Sequence, residues 1–545
     1  MGGSPFSQQL AAMPASHPTT DPCLLQATQL ARLIAKREVS SREVVQAFLN
    51  SIEEHNPLLR AIVQPCYEQA LQEADAADRQ TAELASEGRL GPLHGVPVTI
   101  KDCFAVAGLE TTLGIHGYSK GRDSSDSPLV ARLRNAGAIV LGKTNVSQGM
   151  LLHECDNPLF GRTLLPGNPD RSPGGSSGGE AAAVAARLSP LGLGSDLGGS
   201  TRQPAHSCGV CGFKPTGGRL TVVGSQRALR GMRSLALQPG PIAQSVADMD
   251  LAMRVMLDDR GVAKQLDESP EPWRNYREVD VSSLRIAFWT DNGIMRSAYG
   301  LAGAVERAAQ VLRAEGADVR QVPPPDHREM MRLYLGLISA DGLRSLARLL
   351  RGVRVNPQLR RQVAMGRIPR WVRPPGAGVL RLLGQSQLAD LLHWSGPRSA
   401  DAYWQATADA DDYKKFFWRK LSDAFGGGPV HAVLTPPHAT PALRHGTALH
   451  LLLGGSYCFL ANLLDAPAGV LPAGSISDED QQQELSQRRD WWELEQHYAK
   501  QNATGSAGLP VGVQVMSPPW RDELVFAVMA ALEGRSELRP AAGAP

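Results

Sequence analysis

Short apolar runs of strand length alternate with amphipathic stretches of helical spacing along most of this chain, and that alternation admits few architectures. Val96-Pro97-Val98-Thr99-Ile100 reads as a strand, Pro128 to Asn135 as a helix stopped by Gly137, and Ala138 to Leu141 as a buried strand. The series continues with a helix over Glu180 to Arg187, a strand near Leu191, a strand over Leu284 to Trp289 and a helix over Ala302 to Glu315. It closes with a strand over Leu509 to Val515 and a helix over Glu523 to Leu532. Upstream, Ser40-Ser41-Arg42-Glu43 has the form of a capping box, with Val44, Val45, Phe48, Leu49 and Ile52 at helical spacing behind it. Such a rhythm builds a layered α/β sheet, and a chain of 545 residues can bury a large core in one such unit.

Charge and cysteine usage narrow the partners. Lys plus Arg number 56 against 54 Asp plus Glu, so a net charge of +2 supplies no field for a phosphate backbone, and no nucleic-acid partner is expected. Seven scattered cysteines form no disulfide framework, which points to a reducing, cytoplasmic compartment. Cys208 and Cys211 make a lone C-x-x-C without the further ligands that zinc requires, and two packed thiols are the expectation, with no metal. The first 22 residues lack the charged and apolar regions of a secretory signal, and Phe6 stands where a myristoylation motif requires Ser or Thr. The uncharged stretch from His445 to Leu464 contains Gly454-Gly455-Ser456 and two histidines, and a buried core helix is expected there.

Two motif matches mislead. Gly137 to Thr144 satisfies G-x-x-x-x-G-K-T, but a phosphate cradle needs its middle residues as an open loop, whereas Ala-Ile-Val-Leu is itself a strand that follows a helix. Gly174-Gly175-Ser176-Ser177-Gly178 satisfies G-x-S-x-G, but the polar, Pro-containing run from Asn168 to Pro173 replaces the strand that a nucleophile elbow requires. A Ser/His/Asp triad built on Ser176, with His431, His438 or His445 as base, is therefore disfavoured.

Three other segments carry chemistry together. His94 to Asp102 delivers Lys101 at the end of an apolar strand, where desolvation lowers a lysine's pKa and lets it act as a base. Ser172 to Gly179 presents Ser176 among glycines that permit unusual backbone geometry. Gly194 to Arg202 presents Ser200 after Gly198-Gly199, whose amides can face a developing oxyanion. A base, a bridging hydroxyl and a nucleophile beside amide donors are the parts that acyl transfer needs.

From Leu343 to about Trp394 the rhythm breaks. Ile368-Pro369-Arg370-Trp371-Val372-Arg373, Val379 to Leu383, and Leu388, Leu391, Leu392 and Trp394 mix bulky apolar groups with positive charge. That composition suits a surface helix pair laid over the core, and it also suits a membrane interface with arginines at the headgroups.

With these segments in view, the chain resembles the amidase signature family over nearly its whole length. The run from Pro173 to Pro215, which includes Pro190-Leu191-Gly192-Leu193-Gly194 and leads into Thr216-Gly217, matches the family's long signature. Ile368 to Trp371 leading to Gly396-Pro397-Arg398-Ser399-Ala400, Tyr457 to Gly469, and Gly508 to Gln514 followed by Pro519-Trp520 are similar to its fatty acid amide hydrolase branch.

The resemblance implies a single large α/β/α domain over 23–535 around a mixed sheet, with 343–400 as a helical cap and flexible tails at 1–22 and 536–545. It implies Ser200 as nucleophile, Ser176 as bridging serine beside a cis peptide bond, and Lys101 as base. Leu197, Gly198 and Gly199, with the N–H of Ser200, would form the oxyanion hole, and Met150 would line the acyl channel. No cofactor is expected. The mammalian relatives carry an N-terminal transmembrane helix where this chain has a polar tail, so the implied contact is peripheral, through the cap. A homodimer is implied as well. The expected reaction is hydrolysis of fatty acid amides, N-acylethanolamines or primary fatty amides, through an acyl-Ser200 intermediate. The alternatives are an amidase of short or aromatic amides, a glutaminase subunit of a tRNA amidotransferase, and a non-catalytic lipid-binding module.

Overall fold

Eleven strands join in one mixed sheet in the computed structural model, which describes residues 21–84, 89–258, 265, 267–269, 271–487 and 493–538. From one edge to the other the strands are Ile62–Pro65, Ile139–Thr144, Pro97–Lys101, Leu191–Asp196, Gln238–Ala243, Cys211–Lys214, Ala468–Ser475, Pro510–Met516, Ala432–Thr435, Arg285–Phe288 and Asp318–Gln321. The inner strands Ile139–Thr144, Leu191–Asp196 and Gln238–Ala243 are buried at every residue. Burial on both faces requires helical cover on both, and this is the α/β architecture the alternation predicts.

The predicted elements stand close to where periodicity puts them. The Ser40 capping box is formed, with Ser40 Oγ accepting from Glu43 N, and it opens a helix over Ser41–Leu59. The Pro128–Asn135 helix has proline in its first turn, and Gly137 at φ +91° follows its end. The strand after it runs on to Thr144, so the nucleotide-motif residues Ala138 to Leu141 lie against or within a strand and form no loop. Lys143 points into the core and pairs with Asp102 at 3.1 Å.

One helix is shorter than expected. Of the stretch from His445 to Leu464, only Leu452–Gly455 and Ser456–Leu463 are helical, and residues 445–451 form turns. Gly446 has φ +84°, and the N–H groups of Gly446 and Leu449 are donated to Glu154 and Gln358 instead of to a helix.

Two parallel neighbours, Pro97–Lys101 and Leu191–Asp196, pair through Thr99 with Gly192 and Ile100 with Leu193. Their carboxyl ends therefore lie side by side. The helices Gly178–Ala185 and Arg202–Cys208 begin close to those ends, each entered through a Gly-rich turn. The carboxyl ends of parallel strands are where open α/β sheets hold their ligands.

No described strand lies between Gln321 and Ala432. That interval holds the helices His327–Ile338, Arg344–Leu349, Pro357–Gly366, Arg373–Leu382, Ser386–Trp394 and Ala400–Asp423. Trp371, Val379, Leu382 and Leu383 project outward from it, and Trp371 is 79% and Leu382 89% exposed. No described helix is long and apolar enough to cross a membrane. Residues 1–20 and 539–545 of the two expected tails lie outside the described residues, while Ser536–Leu538 form a 3-10 turn with Leu538 buried.

Candidate active site

Lys101 ends a strand that is buried throughout, and its ammonium has no solvent exposure. Nζ donates to Ser176 Oγ at 2.8 Å, to Ser177 Oγ at 2.7 Å and to the Ser195 carbonyl at 3.1 Å. Among the described residues no carboxylate pairs with it. Burial holds its pKa below the lysine range, against the opposing pull of Cys103, Asp196, Cys155 and Glu180. Lys143, equally buried but paired with Asp102, is the contrasting case of a structural lysine.

Ser176 follows a cis peptide bond from Gly175 and is 1% exposed. Its neighbour Ser177, to which sequence reasoning assigns no role, also receives a hydrogen bond from Lys101. The Ser177 hydroxyl in turn reaches the Ser195 carbonyl at 3.3 Å. The tandem Ser176-Ser177 was the available signal, since either hydroxyl of the pair can meet the lysine.

Ser200 lines a cavity of about 320 Å³ with largely apolar walls, which Met150, Leu197 and Gly198 also line. On its other side is a smaller cavity of about 30 Å³, lined by Ser176, Ser195 and Ser200. Met150, Leu151, Leu197 and Ser200 border both and mark the junction. No hydrogen bond joins Ser176 Oγ to Ser200 Oγ, so the Lys101–Ser176 link is formed and the next one is not. Catalytic contacts of this kind commonly tighten only around a substrate.

The turn that presents Ser200 is bolted from below. Asp196 pairs with Arg202 through two parallel bonds of 3.0 Å, and both side chains have no exposure. Arg202 completes its donor set on the Cys458 carbonyl, Gln514 and Asn462. Asp196 also accepts from the N–H groups of Gly199 at 2.8 Å and Thr201 at 3.2 Å. Burial works against the ionised carboxyl, but the Arg202 guanidinium beside it holds its pKa well below the usual carboxylate range. A buried pair of this kind survives because every remaining donor is satisfied.

Peptide orientation then follows carbonyl by carbonyl. Tyr334 Oη donates to the Leu197 carbonyl at 3.1 Å, His153 Nε2 donates to the Gly198 carbonyl at 2.7 Å, and Gln203 N donates to the Gly199 carbonyl at 2.7 Å. Each bond turns the following N–H the opposite way, because a peptide unit is planar and trans. Gly199 N–H is engaged by Asp196, which removes it from the expected set of oxyanion donors in this structure. The N–H groups of Leu197, Gly198 and Ser200 make no hydrogen bond to a described residue. Gly198 also has no room for a side chain, since a Cβ there would lie 2.2 Å from Tyr334 Oη.

Glu180 is a further buried group beneath the site. It accepts hydroxyl hydrogen bonds of 2.7 Å from Thr99 and Thr144, and burial pushes its carboxyl pKa up to about 7. Gly192 leaves the space for it, because a Cβ there would lie 2.0 Å from Glu180 Oε2.

The three histidines that could serve a conventional triad are engaged elsewhere. His431 Nδ1 accepts from Arg285 N, His438 Nδ1 meets Thr440, and His445 Nε2 donates to the Pro169 carbonyl. Cys208 and Cys211 are buried free thiols, and no set of described residues has the makings of a metal site.

The Amidase family model matches residues 43–526. Fatty-acid amide hydrolase 1 of Sus scrofa is 33% identical over 458 residues, which is 83% of this chain and 77% of that protein. A glutamyl-tRNA(Gln) amidotransferase subunit of Cutibacterium acnes is 31% identical over 518 residues, 93% of this chain and 94% of that protein. Among solved structures, a fatty acid amide hydrolase superposes with a TM-score of 0.79 at 23% identity, over 98% of this chain and 88% of that one.

Proposed function

The chain belongs to the amidase signature family and is an amide hydrolase, and on that premise we propose that it cleaves long-chain fatty amides through an acyl-Ser200 intermediate. The observation that carries this reading is the cavity of about 320 Å³, which Ser200 lines together with Leu335 and Ile338 of the helix before the cap and Leu388 and Leu391 of the cap itself. Walls of that kind favour an alkyl chain by roughly fourfold for each methylene they bury.

In the proposed mechanism neutral Lys101 takes a proton from Ser176, which takes one from Ser200 as its oxygen attacks the amide carbonyl. Free N–H groups of Gly198 and Ser200 receive the oxyanion. The proton returns through Ser176 to the leaving nitrogen, and water then releases the acid by the same relay. Ser177, within reach of the same ammonium, is a second candidate for the bridging position.

The cap suits delivery of such substrates. Trp371, Val379, Leu382 and Leu383 form an exposed apolar face close to Arg370 and Arg381, the composition of a surface that lies in a bilayer interface. The likeness to the tRNA amidotransferase protein supports a second reading, a glutaminase, which would have little use for an apolar cavity of this size.

The test is hydrolysis by the purified protein of a series of primary amides of rising acyl length, beside glutamine and with Ser200→Ala as control. Rates that climb with chain length and vanish in the variant are expected. Preference for short amides or for glutamine would overturn the lipid reading, and turnover by a folded Ser200→Ala protein would overturn the nucleophile.

A further inference from the structure

The smaller cavity on the other side of Ser200 contains one charged side chain, Arg227, among serine hydroxyls and apolar groups such as Leu229, Met232 and Leu235. Arg227 is half-buried, and among the described residues no carboxylate pairs with its guanidinium and no acceptor is hydrogen-bonded to it. The nearby carboxylate, Asp267, attracts Arg227 without forming an ion pair with it, and accepts from Thr221 Oγ1 at 2.6 Å and Val222 N at 3.1 Å. Burial depresses the pKa of Arg227, and so do Arg233 and Arg230, exposed on the same turn without ion pairs to described residues, against the opposing pull of Asp267. A surface arginine is ordinarily solvated and needs no partner. Arg227 differs in lining the same chamber as Ser176 and Ser200.

We propose that this chamber receives the leaving amine and that Arg227 binds a carboxylate on it, so that the preferred substrates are fatty amides of amino acids. The inference rests on the lipid-amidase reading: with the alkyl chain in the larger cavity, the nitrogen side of the scissile bond faces the smaller one. A carboxylate one carbon from that nitrogen matches the planar donor fork of a guanidinium, and the half-buried setting strengthens the contact. The chemistry of the bond is unchanged. Ser200 Oγ forms the acyl ester as the C–N bond breaks, the nitrogen takes the serine proton and leaves as the free amino acid, and water then frees the fatty acid.

The experiment compares kcat/KM for N-oleoylglycine, N-oleoylethanolamine and oleamide in wild type, Arg227→Gln and Arg227→Lys, with a short-chain amide as reference. Wild type should favour the acylglycine over the ethanolamide, and Arg227→Gln should reduce that ratio about tenfold. Arg227→Lys should retain part of it, and rising ionic strength should shrink it in wild type. Equal labelling of Ser200 by a fluorophosphonate checks that the variants keep an intact site. A wild-type ratio at or below one, or a ratio untouched by Arg227→Gln, overturns this inference and leaves the lipid-amidase reading standing if oleamide is cleaved. Turnover of the short amide alone overturns both.

Discussion

Replacing Glu180 with glutamine keeps the shape of a buried side chain and removes its ionisation. In the folded protein its carboxyl sits at about 7, raised by burial against the Thr99 and Thr144 hydrogen bonds, and the unfolded reference is 4.5. Between those values the folded chain holds a proton that the unfolded chain has released. Stability therefore falls as pH rises through that window and levels off above it. A displacement of this size is worth about 3 kcal/mol. Urea unfolding of both proteins at intervals from about pH 4.5 to about pH 8 should show wild type losing about that much relative to Glu180→Gln, with the difference gathered below pH 7. The carboxylate also raises the pKa of Lys101, so its removal should move the acid limb of the kcat/KM profile to lower pH. Parallel stability profiles would refute the assignment of a proton to Glu180 in the core.

Lys101→Met should remove that acid limb together with most turnover, because the base is the neutral amine and activity rises with pH through its lowered pKa; a variant with an unchanged profile shape would end its role as base. The same lysine costs stability below its unfolded pKa of 10.5, so in wild type stability should rise with pH between the folded and unfolded values, and urea unfolding of Lys101→Met should lack that rise. Tyr334→Phe keeps the ring stacked on Phe459 but frees the Leu197 carbonyl, and kcat should drop about tenfold or more at nearly constant KM, measured on a soluble amide. The pair Trp371→Ala and Leu382→Glu should weaken co-sedimentation with anionic vesicles by at least about thirtyfold while turnover of a soluble amide holds; undiminished binding would remove the cap from the membrane.

Local signals located much of the framework. Pro128 opens its helix and Gly137 follows its end because proline and glycine act through their own backbone torsions, whatever surrounds them. The G-x-x-x-x-G-K-T string could be set aside because β-branched and apolar residues make its middle a strand, and Lys143 is accordingly a core lysine paired with Asp102. The His445 to Leu464 stretch was less legible, since the partners that unwind its first half, Glu154 and Gln358, lie far away in the chain.

The sequence by itself determined which residue types were to meet: a lysine ending an apolar strand and two serines in glycine-rich turns, each identifiable from a short segment. Tertiary structure decided what surrounds them. Tyr334 reaches the Leu197 carbonyl across 137 positions, and Arg202 draws acceptors from segments around Cys458 and Gln514. Ser177 comes within 2.7 Å of Lys101, and Arg227 arrives at the far side of Ser200 without an ion pair to a described residue. Hydrogen bonds and cavities between distant segments leave no periodic trace in a chain, because they depend on how the sheet and its cap bring those segments together.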